Sequence, residues 1–138
     1  MCFIVSNKYP VELIASRNIP CYKVVNNDYS SLFHCGSLYY DKYKKYYAKK
    51  EDTDDKLEVL NVEPAVVGNL ECDIINEGIH SYSPFRYKNA LCDTKVIYCI
   101  IPKGERYYYN STDNEYVSLS IRRIPYIYYK ILNYIRNN

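Results

Sequence analysis

The sequence predicts an α+β fold, made of a mainly antiparallel β-sheet and one helix, and three observations support it. Residues 95–101 are apolar at every position but the first, residues 115–121 alternate between polar and apolar, and residues 124–135 repeat their apolar positions with a helical period. We expect a three-strand meander at about 94–121, followed by a C-terminal amphipathic helix at about 124–136. A run of strands followed by a helix is typical of the α+β class.

The meander prediction depends on two short connections between three strands. Residues 95–101 have β-branched and aromatic side chains on both faces, as in a strand buried on both sides. In residues 101–104, proline stands second and glycine fourth, which suits a type I turn. A tyrosine-rich strand at 105–109 and a polar loop at 110–114 then lead to the alternating strand at 115–121.

The part of the chain before residue 94 predicts short strands separated by turns that contain Asn, Asp, Pro or Gly. Residues 38–50 combine tyrosine and lysine, and we interpret them as an irregular strand that enters a charged loop. Residues 63–68 contain Pro64 and Gly68 and predict a turn, and residues 70–75 predict a weakly paired strand. The remaining predicted strands are 1–6, 11–15, 21–25, 29–34, 56–62 and 77–82.

The last segment predicts the helix. Pro125 occupies a first-turn position, where proline is favoured, and Lys130 and Arg136 lie toward the C-terminal end, where the helix dipole favours cations. We expect the helix to pack across one face of the sheet. Its apolar positions share one helix face: Ile124, Ile127, Tyr128, Ile131, Leu132 and Ile135.

Length and charge limit the classes of function. The 138 residues predict a single domain, 1–138, large enough to form a core. The net charge of +2 lacks the basic excess of a nucleic-acid-binding protein, so nucleic acid is not an expected partner. The chain has no apolar run long enough to cross a membrane and no secretory signal pattern, so we expect a cytoplasmic protein without membrane contact.

Six cysteines stand at positions 2, 21, 35, 72, 92 and 99. In a chain without a secretory signal we expect reduced thiols. No pair has the C-x-x-C spacing and only two histidines occur, so the sequence predicts neither a zinc site nor a cofactor.

Five residues form the predicted ligand-binding set. His80 follows Gly78 and precedes Tyr82, and it can act as a base or bind a phosphate. Lys103 and Arg106 flank a turn that leads to Tyr108, and cations beside tyrosines suit an anionic ligand that carries a ring. The alternative is that His80 binds a neighbouring backbone carbonyl, that Lys103 is a turn lysine in solvent, and that the tyrosines pack in the sheet.

Other groups carry weaker hypotheses. Removal of Met1 would expose Cys2 as an N-terminal nucleophile, although Cys2 also suits a buried strand. His34 beside Cys35 is a further candidate. Residues 39–50 interleave tyrosines and lysines, as single-stranded nucleic-acid surfaces do, but acidic residues 51–55 follow directly. We therefore favour lysine stems that cover tyrosine rings on a solvated face.

Several motifs together resemble a family of short, largely uncharacterised proteins of tailed phages and prophages. They are Met-Cys-Phe at 1–3, Ile-Pro-Cys-Tyr-Lys at 19–23, Gly-Ile-His-Ser-Tyr at 78–82, and Cys-Ile-Ile-Pro-Lys-Gly at 99–104 followed by Tyr107-Tyr108. The resemblance supplies no catalytic residues. It implies a viral accessory protein that acts in the host cytosol.

The leading hypothesis is a non-enzymatic phage-type protein that sequesters a small nucleotide signal of antiviral defence. The alternatives are a protein–protein inhibitor of a host enzyme, which would use its tyrosine-rich surface, and a hydrolase or amidotransferase with Cys2 as nucleophile. The expected partners are thus a small anionic ligand or a host protein, and we also expect a homodimer.

Overall fold

The computed structural model describes residues 3–5, 11–32, 38–50, 53–85 and 92–137. Within these ranges the chain forms short strands and one C-terminal helix, as an α+β fold requires. The strands are β1 Phe3–Val5, β2 Leu13–Ile14, β3 Ile19–Asn26, β4 Lys45–Tyr47, β5 Glu63–Val67, β6 Leu70–Ile75, β7 Ile79–Tyr82, β8 Thr94–Ile101, β9 Arg106–Asn110, β10 Glu115–Ser118 and β11 Ser120–Arg123, and the helix is α1 Tyr126–Asn137.

The strands form two sheets, and all of their pairings are antiparallel. A small sheet has the order β1-β6-β5, and the main sheet has the order β2-β9-β10-β7-β3-β8-β11-β4. The longest pairing joins β3 and β8, from Ile19 opposite Ile101 to Asn26 opposite Thr94. The predicted mainly antiparallel sheet is therefore confirmed.

The main sheet curls back on itself. Strands β10 and β11 are separated only by Leu119, yet they occupy the third and seventh positions of the sheet. A nearly continuous stretch can reach two such distant positions only if the sheet bends so that its halves approach each other. The main core lies inside this bend and contains the fully buried Cys21, Val117 and Ile121.

The predicted meander forms only in part. Strands β9 and β10 pair as a hairpin, with Tyr108 opposite Val117. Strand β8 lies apart from them, between β3 and β11. A strand that is apolar on both faces gains more by burial between two long partners than by pairing with its neighbour in sequence, which gives β8 an interior position.

Other local predictions also differ from the structure. Residues 63–68, predicted as a turn, instead form β5, which pairs with β6 through a two-residue loop at Gly68 and Asn69. Pro64 is tolerated because β5 is an edge strand. Residues 56–62, predicted as a strand, make a single bridge, from Lys56 to Lys49. The irregular strand predicted at 38–50 contracts to β4.

The helix is confirmed, but its docked face is rotated from the predicted one and shares with it only Ile124 and Leu132. Tyr129 is buried beside Ile100 and Ile124, and its ring centre lies 4.6 Å from that of Tyr98 on β8. Ile127, Ile131 and Ile135 remain exposed. The aromatic pair offers more contact area than an isoleucine, so tyrosines determine which face meets the sheet.

Candidate functional site

A cavity of about 320 Å³ lies where α1 meets two loops. One loop follows β2 and the other connects β8 to β9. The last two turns of α1 form the remaining wall. The lining residues are Ser16, Arg17, Asn18, Pro20, Lys103, Leu132, Ile135 and Arg136.

Hydrogen bonds between the two loops set the geometry of this cavity. Ala15 donates from its backbone N–H to Glu105 (2.9 Å) and accepts from the N–H of Gly104 (2.8 Å). The side-chain oxygen of Asn18 accepts from the backbone N–H of Lys103 (2.9 Å). These bonds place Lys103 beside the loop that carries Arg17.

The connection after β8 is a turn of a different register from the predicted one. Glu105 N–H donates to the carbonyl of Pro102 (3.0 Å), so residues 102–105 form the turn and Lys103 stands second. Gly104 stands third with a φ of +89°, which a type II turn requires and a type I turn does not. In this turn Lys103 is exposed at the edge of the cavity.

Three cations face the cavity, and no carboxylate is among its described lining residues. Arg136 is half-buried; it donates to the hydroxyl of Tyr116 (3.2 Å) and lies 5.8 Å from the ring centre of Phe85. Burial raises the pKa of Tyr116, and the hydrogen bond from Arg136 lowers it. Arg17 and Lys103 are exposed. The site therefore has one anchored cation and two that can move toward a ligand.

The rest of the cavity wall is apolar or neutral. Pro20, Leu132 and Ile135 supply aliphatic surface, and Ser16 and Asn18 supply neutral polar groups. No histidine, cysteine or acidic side chain is among the described lining residues, so the cavity offers no evident general base. Its chemistry suits the binding of an anion with an attached apolar or ring-shaped group.

The five predicted site residues divide between different parts of the fold. Lys103 lines the cavity, and the other four do not. Arg106, on β9, donates to the carboxylate of Glu12 (3.0 Å), which gives it a partner away from the cavity.

The structure places His80 and Tyr108 opposite the same residue, Val117, on the two strands that flank β10. The side chains of both are largely shielded from solvent: His80 Nδ1 lies 3.1 Å from Glu115, and burial raises the pKa of Tyr108. The ring centre of Tyr82 lies 5.5 Å from that of Tyr22. These three residues thus come close in register, in the sheet rather than at the cavity.

Sequence reasoning missed Arg17 and Arg136 as site residues. The helix dipole already accounts for a cation at position 136, so Arg136 did not indicate a site. Arg17 stands alone among uncharged residues, so it formed no recognisable charged cluster. Only the juxtaposition of three distant segments gives them a common role. The polar cluster Ser16-Arg17-Asn18 before a strand was the one available signal.

The cysteines described by the structure contain no reactive candidate in the core. Burial raises the pKa of Cys21 to about 12, and it raises that of Cys99 well above its usual value. Cys2, His34 and Cys35 lie outside the described residues. In the described ranges, no group of three or more His, Cys, Asp or Glu side chains could hold a metal ion.

The lysines near β4 pack on tyrosine rings. Lys44 lies 5.1 Å from the ring centre of Tyr46, and Lys45 and Lys56 lie 5.0 and 4.3 Å from that of Tyr47. Cation–π contacts of this kind are the arrangement that the sequence interpretation favoured for this segment. They occupy the rings on which bases would stack.

No protein family, curated protein or solved structure matches this chain. Among the described residues, no helix has the length and apolar character needed to cross a membrane.

Proposed function

We propose that this protein is a phage-type accessory protein that binds a small anionic ligand in the host cytosol, and that the ligand is a nucleotide signal of antiviral defence. The observation that carries the proposal is the convergence of Arg17, Lys103 and Arg136 on one cavity without an acidic lining residue among those described. The resemblance of several sequence motifs to those of phage proteins supports the host setting.

The three cations favour phosphate over other anions. Arginine offers a planar set of donors that binds phosphate oxygens in pairs, and lysine adds a point charge. Positive groups that share a cavity repel one another, and an anion with two or more negative charges relieves this repulsion. A phosphate-bearing ligand satisfies both requirements.

The apolar wall and the volume limit the remainder of the ligand. Ligand cavities have volumes of about 300 to 1,000 Å³, and 320 Å³ lies at the lower end of that range. Leu132 and Ile135 can cover one face of a flat ring, as a nucleotide base presents. Since the described lining residues include no evident general base, we infer capture rather than conversion of the ligand.

The experiment is a calorimetric titration of the purified protein with inorganic phosphate, 5′-mononucleotides and cyclic dinucleotides. The double variant Arg17→Ala with Lys103→Ala should weaken binding of the best ligand by at least about tenfold, since it removes two charge-assisted contacts. Both residues are exposed, so the melting temperature should be retained.

Arg106→Ala is the matched control, because it removes an exposed cation outside the cavity. Its affinity should equal that of the unaltered protein. If the double variant binds every active ligand as tightly as Arg106→Ala does, the cavity is not the binding site. Native mass spectrometry of protein from infected cells adds an independent result, because a captured ligand is released on denaturation and identified by its mass.

A further inference from the structure

The solvent-facing side of α1 is an apolar stripe, which we define as Ile127, Ile131, Tyr134 and Ile135. Their exposed fractions are 65%, 51%, 70% and 59%. The opposite side of the same helix docks on the sheet through Tyr129 and Leu132. A helix that is hydrophobic on both sides is ordinarily buried on both sides.

We propose that this stripe binds the same stripe of a second copy, so that the protein is a symmetric homodimer joined by α1. The three isoleucines are spaced at i, i+4 and i+8, and such a row forms a single ridge along the helix. Across a two-fold axis at Ile131, with the helices antiparallel, Ile127 faces the partner's Ile135. Each isoleucine then has a counterpart of the same size, as an isologous interface requires.

The charges of α1 lie outside the centre of the stripe. The helix contains two basic residues, Lys130 and Arg136, and no acidic residue. Arg136 is directed to Tyr116, on the docked side. Lys130 falls beside the stripe rather than in it, so the two Lys130 side chains lie on one flank of the interface, outside its centre. Like charges therefore do not meet in the centre of the interface.

The exposed area is sufficient for a stable dimer. Taking about 150 to 250 Å² for a fully exposed aromatic side chain and slightly less for isoleucine, the stripe and the half-exposed Tyr128 present roughly 500 Å² per copy. A standard interface buries about 800 Å² per partner, of which a little more than half is apolar. The stripe thus supplies about the apolar area that such an interface requires.

The dimer also bears on the proposed ligand site, and this step rests on the proposed function. Ile135 belongs to the stripe and also lines the cavity. Burial of its outer side by the partner would fix one cavity wall and favour ligand binding. Dimerisation itself does not depend on the ligand, so each proposal can fail without the other.

The test is sedimentation velocity over a concentration series, with protein free of ligand. The unaltered protein should sediment as a dimer, and Ile131→Glu should shift it to a monomer, with dimerisation weakened by about 100-fold or more because two charges are buried at the axis. Since Ile131 is half-exposed, the fold of the variant should persist, and circular dichroism checks this. Because the interface is apolar, added salt should leave the dimer intact.

Val66→Glu is the control, since Val66 is 70% exposed on β5, away from α1. It should remain dimeric, and Arg17→Ala with Lys103→Ala should also remain dimeric while losing ligand. A monomeric unaltered protein, a dimer that survives Ile131→Glu, or a dimer lost equally in Val66→Glu would overturn the proposal. A monomer that instead binds a host protein through Ile131 would assign the stripe to that partner.

Discussion

Gly78 connects β6 to β7 at a point where no larger residue fits. Its φ is +129°, a region that side-chain-bearing residues rarely adopt. A Cβ atom built on Gly78 lies 2.6 Å from Cγ2 of Val117 and 2.9 Å from Cδ2 of Leu60. Both contacts are far shorter than van der Waals distance. Gly78→Ala therefore introduces backbone strain and a core clash at the same position.

The two costs can be estimated separately. A residue held in such a backbone region costs about 1 to 3 kcal/mol. An extra methyl group in a packed core costs about 1 to 3 kcal/mol, and Val117 is fully buried and cannot retreat easily. Alanine also lowers the conformational entropy of the unfolded chain, which offsets about 0.4 to 1 kcal/mol of this destabilisation. We expect Gly78→Ala to lower the free energy of unfolding by about 2 to 5 kcal/mol.

Gly104→Ala separates strain from clash. Its φ is +89°, but nothing lies within 4 Å of a built Cβ atom, so only the strain remains. The assay is urea unfolding followed by far-ultraviolet circular dichroism, with the slope of the transition checked for constancy. We expect the loss in Gly78→Ala to exceed that in Gly104→Ala by at least about 1 kcal/mol. Equal losses would refute the reasoning that Gly78 is packed closely against Val117 and Leu60.

Three further predictions concern burial and charge. Tyr129→Ala should lower the free energy of unfolding by about 3 kcal/mol, because the ring is buried against Tyr98. Tyr39→Ala, at a half-exposed site, should lower it by less than about 1 kcal/mol, and equal urea midpoints for the two variants would contradict the docking of α1. Arg106→Ala should lower the free energy of unfolding by about 0.5 kcal/mol or less, since the ion pair of Arg106 with Glu12 is exposed. High salt should abolish this difference between the variant and the unaltered protein, and a loss of stability that does not depend on salt would show another role for Arg106. An alkylating reagent should label the exposed Cys92 rapidly and should label Cys21 and Cys99 only on unfolding, as detected by peptide mass spectrometry. Burial shields Cys21 and Cys99 and raises the pKa of both thiols, so equal labelling of Cys21 and Cys92 would contradict this prediction.

The parts of the fold that could be predicted depend on local pattern. Strand β8 follows from an apolar run, the β9–β10 hairpin from alternation around a polar loop, and α1 from its period and Pro125. The neighbours of β8 could not be predicted. Burial on both faces requires two long partners, and the sequence does not show that β3 and β11 supply them.

The prediction of which face of α1 meets the sheet was wrong for a related reason. Apolar positions occur all around α1, so the count of isoleucines on one side outweighed the single Tyr129 on the other. The docked side is selected by Tyr98 on β8, which no helical period can reveal. Because α1 is apolar on all sides, the exposed stripe could be recognised only after the docked side was known.

The candidate site shows why cation positions along a sequence predict so little. Lys103 and Arg106 are neighbours in the chain, yet one faces the cavity and the other pairs with Glu12 on the edge strand side. Lys103, Arg17 and Arg136 are distant in the chain. The backbone hydrogen bonds of Ala15 and the side-chain oxygen of Asn18, which accepts from Lys103 N–H, bring the first two together.

Arg136 differs from the other two cations in what its loss would mean. Its guanidinium already binds the Tyr116 hydroxyl, so it is held in position before any ligand arrives, and a preorganised cation loses little entropy on binding. It also stands in the last turn of α1, where the negative end of the helix dipole offsets part of its charge. A neutral residue at 136 would therefore disturb both the docking of α1 and the cavity. Arg17 and Lys103 are exposed, and the described residues provide no such anchor for their side chains. They are therefore the positions at which ligand binding can be removed while the fold is kept.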